Sequence, residues 1–206
     1  MPVHPVLKLG FLASHGGSGM RAVLAAIAAG ELNAEGRILI TNNPGCAAVA
    51  AAEAADLPWR HISATRAGGP EAADREMAEV LTEAGAGLVV LSGYMRPLGP
   101  QTLQRFAGRV LNIHPALLPR HGGAGLYGRH VHEAVHASGD ATTGATVHLV
   151  ERDYDTGPII SQISAPVRPG DSVDDIEARV RALEPGLLVD TLRRISEGEL
   201  KLPGGL

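Results

Sequence analysis

Val6-Leu7-Lys8-Leu9-Gly10-Phe11-Leu12, then His15-Gly16-Gly17-Ser18-Gly19, then residues 20–29 in helical composition, form the stretch on which the fold turns. A short, almost unbroken apolar run reads as a buried strand, and the glycines that follow read as the turn into a helix. The same alternation recurs downstream. Strand-like runs at 37–41, 59–62 and 87–91, the last reading Gly87-Leu88-Val89-Val90-Leu91, are interleaved with an alanine-rich helix at 46–55 and an amphipathic helix at 71–83. Strands separated by helices pair in parallel, so this order predicts a single α/β domain: a mainly parallel twisted sheet, Rossmann-like, with helices on both faces. Ligands in such sheets bind beyond the carboxyl ends of the strands, which directs attention to the residues just after each apolar run.

After a further strand at 109–113 the pattern changes. Runs at 141–150 and 159–167 both read as strands, separated by Asp153-Tyr154-Asp155-Thr156-Gly157-Pro158, which predicts an antiparallel addition near the C-terminus. Ser172-Val173-Asp174-Asp175 resembles a capping box and opens a long helix with Ile176, Val180, Leu183 and Leu187 on its apolar side. Pro185 is expected to kink or interrupt that helix, and residues 202–206 are expected to be loose.

Composition narrows the function. The 206 residues suffice for one domain with a substantial core, and with 45% apolar but only 3% aromatic residues that core must be Val, Leu, Ile and Ala. Net charge is −4 with no basic run, so a nucleic-acid or membrane-surface partner has no electrostatic support. A lone Cys46 makes neither an internal disulfide nor a cysteine-cluster zinc site. There is no secretory pattern and no apolar run of membrane-spanning length, so a cytoplasmic location is expected.

Two constellations carry chemistry. Gly17, Ser18 and Gly19 stand at a helix start, where unpaired N–H groups and a partial positive charge suit a phosphate. Their spacing matches neither G-x-G-x-x-G nor the P-loop, which favours a single phosphate over a dinucleotide, and an unliganded turn stays equally open. In Leu111-Asn112-Ile113-His114-Pro115, Asn112 and His114 are two apart on an extended segment and project to the same side. An amide N–H₂ beside an imidazole suits an acyl carbon passing through a tetrahedral state: the amide donates to the oxyanion, and the imidazole donates or moves a proton. Asp155, with Asp153 as local competitor, is the candidate carboxylate to charge and orient the imidazole. These residues alone leave a hydrolase and a transferase both open.

Leu111-Asn112-Ile113-His114-Pro115 with Leu117-Leu118-Pro119 resembles the signature of formyltransferases that use 10-formyltetrahydrofolate. Further elements stand in that family's order over nearly the whole chain: Ser92-Gly93-Tyr94-Met95-Arg96-Pro97-Leu98, Val131-His132-Glu133-Ala134-Val135, Thr146-Val147-His148 and Asp155-Thr156-Gly157-Pro158. The resemblance implies formyl transfer from 10-formyltetrahydrofolate, as cosubstrate and without a metal, to the amine of phosphoribosylglycinamide in de novo purine synthesis. It implies a catalytic trio of Asn112, His114 and Asp155. It also implies a substrate phosphate held at Gly17, Ser18 and Gly19, glycinamide-side contacts from Glu184 and Arg181, and a pterin pocket lined by Tyr94, Met95, Arg96, Pro97 and Leu98. His132 and His148 are implied as supporting histidines. A phosphate-binding half over about residues 1–100 and a catalytic, folate-binding half over about 92–206 are expected within one domain, as monomer or homodimer.

The chain departs from the family pattern in three places. Gly19 replaces a usual asparagine, which is expected to remove a side-chain donor at the phosphate. Pro70 replaces an arginine, for which Arg66 is the candidate substitute at the folate's glutamate tail. Residues 120–129, rich in glycine, are expected to form a flexible flap. Relatives acting on methionyl-tRNA or sugar nucleotides, and the hydrolase of formyltetrahydrofolate, carry further domains for which this length leaves no room. A transferase for another phosphorylated amine and a non-catalytic phosphate- or nucleotide-binding module are the remaining alternatives. The apolar positions of Met95 and Leu98, and a simple ion pair between Arg181 and Glu184, are the plain structural readings of those residues.

Overall fold

At the centre of the sheet lies strand β1 (Leu7–Ala13), every residue of which except Lys8 is buried. In this computed structural model, which describes residues 6–205, it pairs in parallel with β2 (Ala34–Thr41) on one side and β4 (Leu88–Leu91) on the other. Outward from β2 lies β3 (Trp59–His61). Outward from β4 lie β5 (Val110–His114), β6 (Thr142–Leu149) and β7 (Ile159–Pro166), so the order is β3-β2-β1-β4-β5-β6-β7. The pairings among β1 to β5 are parallel, and β5–β6 and β6–β7 are antiparallel. The chain reverses its direction of travel across the sheet between β1 and β4, and a crevice opens there beyond the strand ends.

Alternation along each strand sends side chains into two layers. Leu9, Phe11, Leu39, Leu88, Val90 and Leu111 pack with α1 (Ser18–Ala28), α2 (Ala47–Ala54) and α7 (Val173–Ser196). Leu12, Ile38, Ile40, Val89 and Val110 pack on the opposite face with Met77 and Leu81 of α4 (Pro70–Glu83). Three short helices complete the chain: α3 (Ala64–Ala67), α5 (Pro100–Arg105) and α6 (Arg129–Ser138). Helix α6 starts on Arg129, the last residue of the glycine-rich stretch read as a flap, and buries Val131, His132 and Val135 along one side. No helix among the described residues is long and apolar enough to cross a membrane.

Two expectations are corrected. Pro185 does not interrupt α7, which runs unbroken from Val173 to Ser196. A proline removes one backbone hydrogen bond, whereas this helix buries Val180, Leu187, Leu188, Leu192 and Ile195 in the layer shared with the sheet and α1, so burial wins. Its start is the expected capping box, with Ser172 Oγ accepting from Asp175 N–H and the Asp175 carboxylate accepting from Ser172 N–H. Residues 202–205 are not loose: Leu202 is buried in the core, and Gly204 lies so close to residues 107–109 that a Cβ there would meet the Ala107 carbonyl at 2.2 Å. Leu206 lies outside the described residues.

Gly144 shows how tightly β6 and β7 are joined. A Cβ there would sit 2.0 Å from the Ile163 carbonyl oxygen, which is backbone and cannot rotate away. Gly144→Ala is therefore expected to lower stability by more than about 3 kcal/mol in urea unfolding. A loss below about 0.5 kcal/mol would show that the strand pair gives way there.

Candidate active site

The β5–β6 register builds the site. Asn112 lies opposite His148 and His114 opposite Thr146, so four polar side chains share one face near the end of β5. Asn112 Nδ2 is 3.1 Å from His148 Nε2, and His148 Nδ1 is 2.9 Å from the Leu149 carbonyl. A carbonyl only accepts, so His148 carries its proton on Nδ1 and its Nε2 accepts from the Asn112 amide. His114 is placed similarly: Nε2 is 2.8 Å from the His121 carbonyl and so carries the proton, leaving Nδ1 directed at Asp155 Oδ2, 3.5 Å away.

Asp155 comes from the β6–β7 loop, at φ 57°. Its second oxygen is 3.5 Å from His148 Nε2, and Gly123 N–H donates to Oδ2 at 3.0 Å. The carboxylate thus lies between two imidazole nitrogens at ion-pair range, longer than a good hydrogen bond. Asp153, its competitor in sequence, is exposed, and its carbonyl accepts from Thr156. His114 and His148 are almost fully buried, at 3% and 2% exposure. Burial, chiefly, holds His114 below the usual histidine range, opposed by Asp155 and the His121 carbonyl and reinforced by the His121 ring. Burial lowers His148 likewise, opposed by the Leu149 carbonyl and Asp155. The carboxylate thus faces His114 Nδ1, which has no proton in the neutral ring, and His148 Nε2, which the Asn112 amide also reaches.

His132, on α6, is equally buried, and its Nδ1 has no hydrogen-bond partner. Burial lowers its basicity, with Glu177 opposing and Arg181, His114 and Arg129 adding. Thr146 works as scaffold, with Oγ1 donating to the Ala116 carbonyl and accepting from Leu118 N–H and Gln162 Nε2. Sequence reading gave Thr146 no role of its own and passed over Gln162, His121 and Asp140. Only the two-residue alternation of Thr146 and His148 gave a hint.

The glycine turn sits across the crevice. Gly17 is the N-cap of α1 at φ 57°, and the N–H groups of Ser18 and Gly19 fall in the first turn, where a helix supplies no partner. Met20 N–H donates to Ser92 Oγ at 3.0 Å, tying this turn to the end of β4. Gly19 is buried, and a Cβ there would meet Leu188 at 2.8 Å and Ser92 Oγ at 3.1 Å, so this position is also a packing contact between α1 and α7.

Residues 94–98 follow β4. Met95 N–H donates to Ser14 Oγ at 2.9 Å, and Ser14 N–H donates to the Gly93 carbonyl. Tyr94 and Leu98 pack against the α4 layer, while Met95, Arg96 and Pro97 are exposed. Burial raises the Tyr94 phenol to about 12, so it stays protonated. Arg66 is exposed on α3 beside the β3 edge, and Pro70 serves as the first residue of α4. The plain ion-pair reading of Arg181 and Glu184 is corrected. Arg181 is 67% exposed and pairs with Glu177 at 2.7 Å, the neighbour one full turn away. Glu184 is pushed up to about 7, mainly by burial, with Arg181 opposing and Glu177 adding. Among the described residues no group of three His, Cys, Asp or Glu side chains is placed to hold a metal ion.

Residues 7–192 match the family described as Formyl transferase. Phosphoribosylglycinamide formyltransferase of Escherichia coli is 34% identical over 191 residues, 93% of this chain and 88% of that protein. The protein of that name from Haemophilus influenzae is 32% identical over 97% of this chain and 92% of its own length. The crystal structure of glycinamide ribonucleotide transformylase 1 from Symbiobacterium toebii superposes with a TM-score of 0.87 at 31% identity, covering 94% of this chain and 89% of that one.

Glu184 makes the site's burial measurable. Its folded pKa of about 7 exceeds the ordinary 4.5, so the fold favours the neutral acid. That contribution is complete below 4.5 and is lost as pH rises through about 7, a swing of up to about 3 kcal/mol. Glu184→Gln removes the titration, so urea unfolding should show the variant gaining on the parent between about pH 5 and about pH 8. Parallel stability–pH curves for the two would place Glu184 in water instead.

Proposed function

The chain belongs to the formyl transferase family, and we propose that it transfers the formyl group of 10-formyltetrahydrofolate to the amine of N1-(5-phospho-D-ribosyl)glycinamide, giving the N-formyl product and tetrahydrofolate in de novo purine synthesis. The observation that carries this reading is the meeting of Asn112, His114 and Asp155 at one strand end, with His148 as fourth member. Its relatives carry the name of that activity, and the family uses the folate as cosubstrate.

The amine nitrogen attacks the formyl carbon, and the carbonyl oxygen takes the negative charge. One Asn112 N–H is committed to His148, and the second donates to the oxyanion. His114, protonated on both nitrogens, donates from Nδ1 to the same oxygen, while Asp155 stabilises the imidazolium across 3.5 Å. The ammonium formed by attack gives a proton to the Asp155–His148 pair, and that proton passes to the folate nitrogen as its bond to carbon breaks. The proton taken from the amine is the one given to the folate nitrogen, so the step balances and His114 keeps its own charge throughout. The first turn of α1, at Gly17, Ser18 and Gly19, holds the substrate phosphate and aims the amine. Glu184 and Arg181 meet the glycinamide side. Residues 94–98 border the pterin, and Arg66 approaches the folate's tail. Burial has a catalytic use here, because a donor in a dry site stabilises an oxyanion more than it would in water.

In a spectroscopic formyl-transfer assay, His114→Ala is expected to lower kcat about a thousandfold with the folded baseline intact, as removal of an acid and an oxyanion donor requires. Ser18→Val should instead raise KM for the phosphorylated amine about tenfold and leave kcat near the parent's. Parental turnover in His114→Ala would remove the trio from the chemistry. No deformylated folate with any amine would make the chain a binding module.

A further inference from the structure

Residues 121–123 touch both His114 and Asp155. The His121 carbonyl accepts from His114 Nε2 at 2.8 Å, and two residues on, Gly123 N–H donates to Asp155 Oδ2 at 3.0 Å. Gly122, between them, packs so closely that a Cβ would stand 2.4 Å from Leu118 and 3.2 Å from Asp155 Cβ. This bracket is backbone, so its position is only as fixed as its anchors. It is also strained: His121 sits at φ 54°, a region costly for a residue with a Cβ, which persists only where neighbours hold it.

One neighbour holds it. The His121 ring is 2.7 Å from Asp140 Oδ2, with both side chains largely buried at 15% and 12% exposure. The other Asp140 oxygen takes the Arg120 guanidinium, and Asp140 N–H donates to Ser138 Oγ. Asp140 lies between the end of α6 and the start of β6, and β6 carries Thr146 and His148, so the anchor is tied to the strand that builds the site. Neither the His121 ring nor Asp140 has a part in the proton path described above.

We propose that Asp140 and His121 are positioning residues: the hydrogen bond between them holds the 121–123 bracket, and the bracket keeps the His114 proton on Nε2 and the Asp155 carboxylate turned toward Nδ1. The inference rests on the formyl-transfer reading and deepens it. A carbonyl facing Nε2 rules out the other neutral tautomer and adds a charge-assisted bond to the imidazolium. Without it the neutral ring is free to put its proton on Nδ1, toward Asp155, and the imidazolium loses one of its two supports. The titratable groups around His114 are Asp155 from the β6–β7 loop, His148 from β6, His132 from α6 and His121 from the bracket. Asp155 and the His121 carbonyl favour the charged ring, while burial and the His121 ring oppose it. Loosening the bracket therefore lowers His114 basicity. Activity that needs the imidazolium then falls off at lower pH.

The test uses Asp140→Asn and His121→Ala in the full chain, with Arg120→Gln as the control that leaves the His121–Asp140 pair in place. Two readouts are taken: kcat against pH for formyl transfer, and ¹⁵N shifts of the His114 ring against pH without substrate. The parent and Arg120→Gln should show the Nε2–H tautomer. Asp140→Asn and His121→Ala should both show mixed tautomers and kcat lowered about tenfold at neutral pH with folate KM within about twofold, and in Asp140→Asn, where the His121 ring stays, the alkaline limb should move to lower pH. Lower kcat with an unchanged tautomer and an unmoved limb would reduce Asp140 to a stabilising residue and overturn the proposal. Should either variant not fold, His121→Asn, which tolerates positive φ and keeps a donor for Asp140, must reproduce the parental tautomer or the proposal fails. Absence of formyl transfer in the parent would refute the functional reading alone, because the ring shifts decide the bracket without turnover.

Discussion

The antiparallel register of β5 on β6 is the constraint from which the rest of the site follows. Leu111 faces Leu149 and Ile113 faces Val147 on one side of the pair, while Asn112 with His148 and His114 with Thr146 occupy the other. Leu111, Val147 and Leu149 are buried in the layer shared with α1 and α7. Burying each such side chain contributes about 1.5–3 kcal/mol, against about 1 kcal/mol net for one hydrogen bond among the polar residues. The apolar face therefore sets the register, and the polar constellation is carried into place by it. A slip of one residue would turn the imidazole and the amide into the hydrocarbon layer, which the core forbids.

Electrostatics then work on what the register delivers. Burial alone would leave both imidazoles neutral and useless as donors of charge. The carboxylate between them restores part of their basicity, and two backbone carbonyls fix where each ring keeps its proton. Asp155 is separated in sequence from both histidines by turns and strands, yet its loop leaves β6 immediately after His148 and returns as β7. The connection over 150–158 presents the carboxylate, with Asp155 at positive φ, and the Gly123 N–H that donates to it helps hold it there.

Much of this was legible in the chain. The parallel half, the antiparallel addition and the long capped helix follow from apolar runs, their spacing and one Ser-x-x-Asp box, because burial and capping act on local sequence. Asn112 and His114 declare themselves through two-residue spacing beyond an apolar run. Asp155 could be nominated only among competitors, since nothing local separates it from Asp153. The parts that were not legible depend on contacts distant in sequence. His121 and Asp140 act through a ring–carboxylate contact across nineteen residues. Pro185 looked like a helix breaker because the burial that overrides it comes from α1 and the sheet. Arg181 looked bound to Glu184, but the neighbour it reaches is Glu177.

Gly19 shows why a substitution in a binding turn needs its three-dimensional surroundings. Read along the chain, a glycine in place of an asparagine subtracts a donor from the phosphate cradle. In space the missing Cβ lies against Leu188, one helical turn beyond Glu184 on α7, so its absence lets α1 and α7 approach. The residue at 19 thus bears on how α1 packs against α7 as well as on the turn that precedes it, and the two effects cannot be read apart along the chain alone.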